Sequence, residues 1–88
     1  MPIISRFDSI IIRMYYDEGK HHLPHFHAAY REEKVIFLID PPKIIEGTMK
    51  RRAEKMIVKW ATLHKAELLE NYKNALQKKP LQKISPLE

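Results

Sequence analysis

An α+β fold, with a small antiparallel sheet of three to four strands built first and helices packed on one of its faces afterwards, follows from two observations. Apolar residues recur with period two up to Glu46 and with a period near that of a helix after Thr48. Strands that precede helices, rather than alternating with them, place the helices together on one side of the sheet.

Residues 7–16 are rich in β-branched and aromatic side chains and read as the first strand. Ile10, Ile12, Met14 and Tyr16 form an apolar face, and Ile11, Arg13 and Tyr15 a mixed one. Asp17-Glu18-Gly19-Lys20 then supplies turn chemistry. Residues 24–30 follow as a second strand, with Phe26, Ala28 and Tyr30 on one face and His25, His27 and Ala29 on the other. After a charged turn over residues 31–34, the stretch 35–39 is apolar on both faces, as in a strand at the centre of a sheet. Asp40-Pro41-Pro42 closes it, because proline cannot donate to a ladder, and Lys43–Glu46 returns as a short edge strand before Gly47.

Thr48 is the N-cap expected for the helical region. Ala53, Met56, Ile57, Trp60, Ala61 and His64 then recur at helical spacing, and Leu68, Leu69, Tyr72, Ala75 and Leu76 continue the period. One unbroken helix over residues 49–78 would be about 45 Å long at 1.5 Å per residue. A chain of this size has a radius of gyration of only about 12 Å. The helical region is therefore one long kinked helix or two short ones, with the break near residues 63–65, although neither glycine nor proline marks it. Trp60 and Tyr72 read as core, and His64, on the edge of the apolar stripe, as a packed or capping residue. The result is a single domain over residues 1–88: a sheet region 1–47, a helical region 48–79, and a C-terminal tail or short strand from Pro80 onward.

Composition bounds what this domain can do. Its 88 residues leave room for one modest core. With 44% hydrophobic and 31% charged residues it is a folded chain rather than a disordered one. It has no cysteine, which excludes disulfides and thiolate metal sites and favours a cytoplasmic address. Residues 1–8 lack the basic leader and apolar run of a signal peptide. The apolar stretch 35–39 is far short of the roughly 20 residues that span a membrane. The net charge of +5 is uneven: residues 1–47 carry six Lys/Arg against seven Asp/Glu, and residues 48–88 carry ten against four. That split points to an anionic partner, nucleic acid among them, or else to a solvated helix surface.

Four of the five histidines, His21, His22, His25 and His27, fall within seven residues. Two apart on a strand, His25 and His27 share a face. They could ligate one metal ion, with His21 or His22 from the preceding loop as a third ligand in an open, zinc-type site. The same residues serve metal-free chemistry equally well. Histidine titrates near pH 6.5 and can act as general acid or base, and RNA cleavage then needs a cation for the charge developing on phosphorus. Arg13 is that cation, on the mixed face of the first strand, with Tyr15 at the same parity. A third reading is a polar face that binds a partner protein without catalysis.

Lys50, Arg51 and Arg52 open the helix where its dipole disfavours positive charge, and Arg51, Lys55 and Lys59 continue as a ridge away from the apolar stripe. Helix N-termini take phosphate readily, so these five residues are the candidate anion-binding set.

Several of these segments resemble a family of small bacterial proteins, the domain of unknown function 4160. They are Met1-Pro2-Ile3-Ile4-Ser5-Arg6-Phe7, Ile12-Arg13-Met14-Tyr15-Tyr16, and His21 through the string Pro24-His25-Phe26-His27-Ala28 with Tyr30. Trp60, His64, Glu67-Leu68-Leu69-Glu70-Asn71-Tyr72 and Ile84-Ser85-Pro86-Leu87 continue the likeness. Members often carry two prolines before the histidine string, where this chain has Leu23-Pro24, and a tryptophan where it has Tyr72. The resemblance implies a small cytoplasmic protein encoded beside another short one, an arrangement similar to a toxin–antitoxin pair. The leading expectation is thus one component of such a pair, contacting RNA or DNA through His25, His27 and Arg13 on the sheet face together with the basic helix, with a small cognate protein as partner.

Overall fold

The computed structural model describes residues 2–15 and 23–87. Among them, five strands form one antiparallel meander in the order β1-β2-β3-β4-β5, followed by two helices. The strands are β1 (Ile3–Phe7), β2 (Ile10–Arg13), β3 (His25–Tyr30), β4 (Glu33–Leu38) and β5 (Lys43–Glu46), and the helices α1 (Arg51–Leu63) and α2 (Lys65–Leu76). The α+β expectation holds, with one strand more than its upper count.

The additional strand comes from a turn that alternation hides. Asp8 and Ser9 take positive φ values of 46° and 65°, which turns the chain into a two-residue hairpin. The strand expected over residues 7–16 is therefore split. Phe7 closes β1, pairs with Ile10, and sends its ring to within 5.5 Å of Trp60. Tyr16, the Asp17–Lys20 turn and the histidines His21 and His22 lie outside the described residues.

Residues 31–34 are not all turn either. Arg31, with φ 56°, and Glu32 make the bend, and Glu33 and Lys34 already belong to β4. β5 spans the four residues that the sequence marks, after a turn in which the Asp40–Pro41 peptide is cis. Gly47 follows at φ 86°, where a Cβ would sit 2.6 Å from the Lys34 carbonyl oxygen. A side chain has no room there, and the backbone conformation favours glycine as well.

Thr48 does not cap α1. The helix begins at Arg51, with Lys50 in the N-cap position and no side-chain cap of its own. A carboxylate from the sheet takes that place: the Lys50 amide donates to Glu33 Oε1 at 3.0 Å. The helix breaks where length demands, at His64. Its amide still donates to the Trp60 carbonyl, its own carbonyl accepts from Leu68, and its Nδ1 lies 2.6 Å from Glu67 Oε1. A residue with a bonded side chain thus forms the joint in place of glycine or proline.

Ala53, Ile57, Trp60 and Ala61 press the inner stripe of α1 onto one sheet face, where Phe26 stacks on Phe37 at 5.3 Å and meets Trp60 edge-on at 5.9 Å. Trp60 has no exposed surface, and its indole nitrogen donates to the Ser85 carbonyl at 2.8 Å. The tail returns along β1. Asn71 holds Gln82 through two hydrogen bonds, of 2.8 and 3.0 Å, and the Ile84 amide donates to the Ile4 carbonyl at 2.7 Å. Ile84 thereby joins the core. Among the described residues no helix is long and apolar enough to cross a membrane.

Candidate functional site

The face of the sheet that α1 leaves uncovered carries the candidate residues Arg13 and His27. Register fixes which side chains meet there: Arg13 is paired with His27, His27 with Ile36, and Ile36 with Glu46, a single row across β2 to β5. The next row on the same face runs Arg6, Ile11, Ala29, Lys34. Opposed residues in an antiparallel pair project from the same face, so three cations, Arg6, Arg13 and Lys34, share the face of one imidazole, and Arg13 and Lys34 line a hollow with it.

Tyr15, just beyond the end of β2, packs edge-on against His27 with ring centroids 4.3 Å apart and planes at 76°. Two shallow hollows flank this histidine. Arg13, Tyr15, His27 and Lys34 line the first, floored by Ile11 and Ala29. His27, Lys34, Ile36, Glu46 and Gly47 line the second. The half-buried imidazole between them can exchange a proton with a group seated in either. The first hollow, with its two cations and a phenol, suits an oxyanion.

His25 does not join this open set. It shares the parity of His27, with ring centroids 5.6 Å apart, but is 1% exposed. Its ring lies 5.5 Å from that of Tyr72 in α2, and its Nδ1 is 2.8 Å from the Leu23 carbonyl oxygen, to which it donates. The expectation that both imidazoles project from an uncovered face is corrected here. The first residue of β3 lies against the second helix, which period-two parity cannot register. His25 ties down the segment entering the strand, and His27 faces the open side.

Among the described residues no group of three histidines or carboxylates gathers to hold a metal ion. His21 and His22, the loop ligands of the zinc-type reading, lie outside them.

The basic set is placed elsewhere. Arg51, Arg52, Lys55 and Lys59 are exposed, and helical geometry sets Arg51, Lys55 and Lys59 opposite the stripe of Ala53, Ile57 and Trp60 that faces the sheet. Helix α1 stands between this ridge and the His27 face. At its N-terminus the Lys50 amide already binds the Glu33 carboxylate, where the sequence suggests a phosphate. One small ligand cannot touch both sets.

Two lining residues, Lys34 and Glu46, escape the sequence reading. The signal for Lys34 is its outward parity, counted from Val35, Phe37 and Ile39, which the charged, turn-like run of residues 31–34 hides. Glu46 reaches the row through a register shift between Ile36 and Phe37, for which the sequence carries no mark.

A family model described as a domain of unknown function (DUF4160) matches residues 9–73, 65 of the 88. The match takes in Arg13, Tyr15, the Pro24–Ala28 string, Trp60 and Tyr72, whereas residues 1–7 and 84–87 fall outside it. No curated protein and no solved structure matches the chain.

Proposed function

The chain belongs to the DUF4160 family, and from that premise we propose that it is the nucleic-acid-contacting component of a toxin–antitoxin-like pair, binding RNA or DNA on the open face of its sheet. The observation that carries this reading is the apposition of Arg13 and His27 on paired strands, with Tyr15 against the imidazole and Lys34 beside it. Arg13 and Lys34 hold a phosphate in the first hollow, Tyr15 offers a ring on which a base can stack, and His27 exchanges the proton. His25 positions the strand from beneath α2. The ridge of Arg51, Lys55 and Lys59 adds a long-range field that raises the encounter rate without touching the bound strand.

The pairing with a small neighbouring protein comes from the family likeness, and the open, cation-lined face is the surface such a partner would cover. The test is expression in cells with and without the neighbouring gene, together with binding of a single-stranded oligonucleotide at low salt. Growth arrest relieved by the neighbour, and lost in His27→Ala, supports the reading. Unimpaired growth with no binding at low salt refutes it.

A further inference from the structure

Arg13, His27, Ile36 and Glu46 follow one another as register partners, so a carboxylate closes a row that a guanidinium and an imidazole begin. A carboxylate on a phosphate-binding face repels the ligand, so phosphate binding does not explain Glu46. It lines the second hollow with His27 and Lys34, on the far side of the imidazole from Arg13. Adjacent strands lie about 4.8 Å apart, which puts the His27 and Glu46 backbones roughly 10 Å from each other with Ile36 between. Both residues line the second hollow over Ile36.

Resting on the reading above and narrowing it from nucleic acid to RNA, we infer that Glu46 is the general base and His27 the general acid of a transesterification that cleaves single-stranded RNA. Glu46 takes the proton of a ribose 2′-hydroxyl. The 2′-oxygen forms a bond to phosphorus as the bond from phosphorus to the 5′-oxygen breaks. Protonated His27 gives its proton to that departing oxygen. Lys34, which lines both hollows, stabilises the added negative charge on the phosphoryl oxygens, while Arg13 holds the adjacent phosphate of the strand in the first hollow. The products are a 2′,3′-cyclic phosphate and a 5′-hydroxyl, with no metal or co-reactant consumed. DNA, which has no 2′-hydroxyl, binds and stays intact.

Three single-stranded oligonucleotides of one sequence separate the possibilities: RNA, its 2′-O-methyl form, and DNA. The wild-type protein is expected to bind all three and to cut RNA into ends bearing a cyclic phosphate. Glu46→Gln, on an exposed edge-strand position, is expected to slow cutting by about 100-fold or more, the span of general acid–base catalysis, and His27→Ala likewise. Its affinity for the 2′-O-methyl strand should stay within about threefold, since the base acts in the chemical step. That binding also shows that the variant is folded. RNA bound but uncut, products without a cyclic phosphate, or wild-type cutting by Glu46→Gln each overturn the inference while leaving the binding reading in place. Failure to bind any of the three strands removes both.

Discussion

Tyr15 meets His27 edge to face, their ring centroids 4.3 Å apart, directly beside the guanidinium-bearing residue paired with that histidine. Aromatic contacts of this kind contribute about 0.5–1.5 kcal/mol and fix ring orientation. The phenol ring therefore holds the imidazole toward the hollow. Tyr15→Phe keeps the ring and should leave the carbon-bound imidazole proton resonances of His27 nearly unmoved, whereas Tyr15→Ala should shift them. Identical His27 resonances in all three proteins would contradict this contact.

The two histidines of the motif separate by role. His25→Ala removes a buried ring and its bond to the Leu23 carbonyl, and should destabilise the fold by about 1–3 kcal/mol. His27→Ala, half-buried on the open face, should change stability by less than about 1 kcal/mol. Urea unfolding of both variants decides the point. Equal losses would mean that the histidines are equivalent.

Helix α1 is capped by a residue 17 positions earlier in the chain. Glu33→Ala should cost about 0.5–2 kcal/mol, as loss of an N-cap does. Thr48→Ala should fall within about 0.5 kcal/mol of the parent, like other surface changes. A larger loss at Thr48 than at Glu33 would restore the cap that the sequence suggests.

Asn71 is 2% exposed and satisfies both backbone groups of Gln82. Asn71→Leu keeps the bulk and strands those groups, so the expected cost is about 1–3 kcal/mol. The tail should also loosen, read as faster hydrogen exchange at the Ile84 amide, which bonds to Ile4. Parental protection at Ile84 would show that the tail is held by other contacts.

What the sequence discloses and what it hides divide along physical lines. The α1 stripe, β5 and the break at His64 are legible because each rests on local periodicity or on length against domain size. The β1–β2 hairpin is not, because Asp8 and Ser9 turn the chain at positive φ without the glycine that usually marks such a two-residue turn. For the site, parity finds Arg13, Tyr15 and His27 on one face, since register preserves parity across strands. It fails for His25, which Tyr72 covers from a helix far along the chain. It also fails for the basic ridge. Charge counting sees Arg51, Lys55 and Lys59 but not the helix that separates them from His27.

The measurement closest to the central claim is the salt dependence of binding to a single-stranded oligonucleotide. Log affinity falls with log salt by about 0.7 per phosphate neutralised on a single strand. If the open sheet face is the contact, Arg13→Gln with Lys34→Gln should flatten the slope by about 1.4, while Arg51→Gln, Lys55→Gln and Lys59→Gln together should leave it within about 0.7 of the parent. A parental slope in the sheet-face variant, with the loss appearing in the helix variant instead, would place the nucleic acid on α1 and contradict the account.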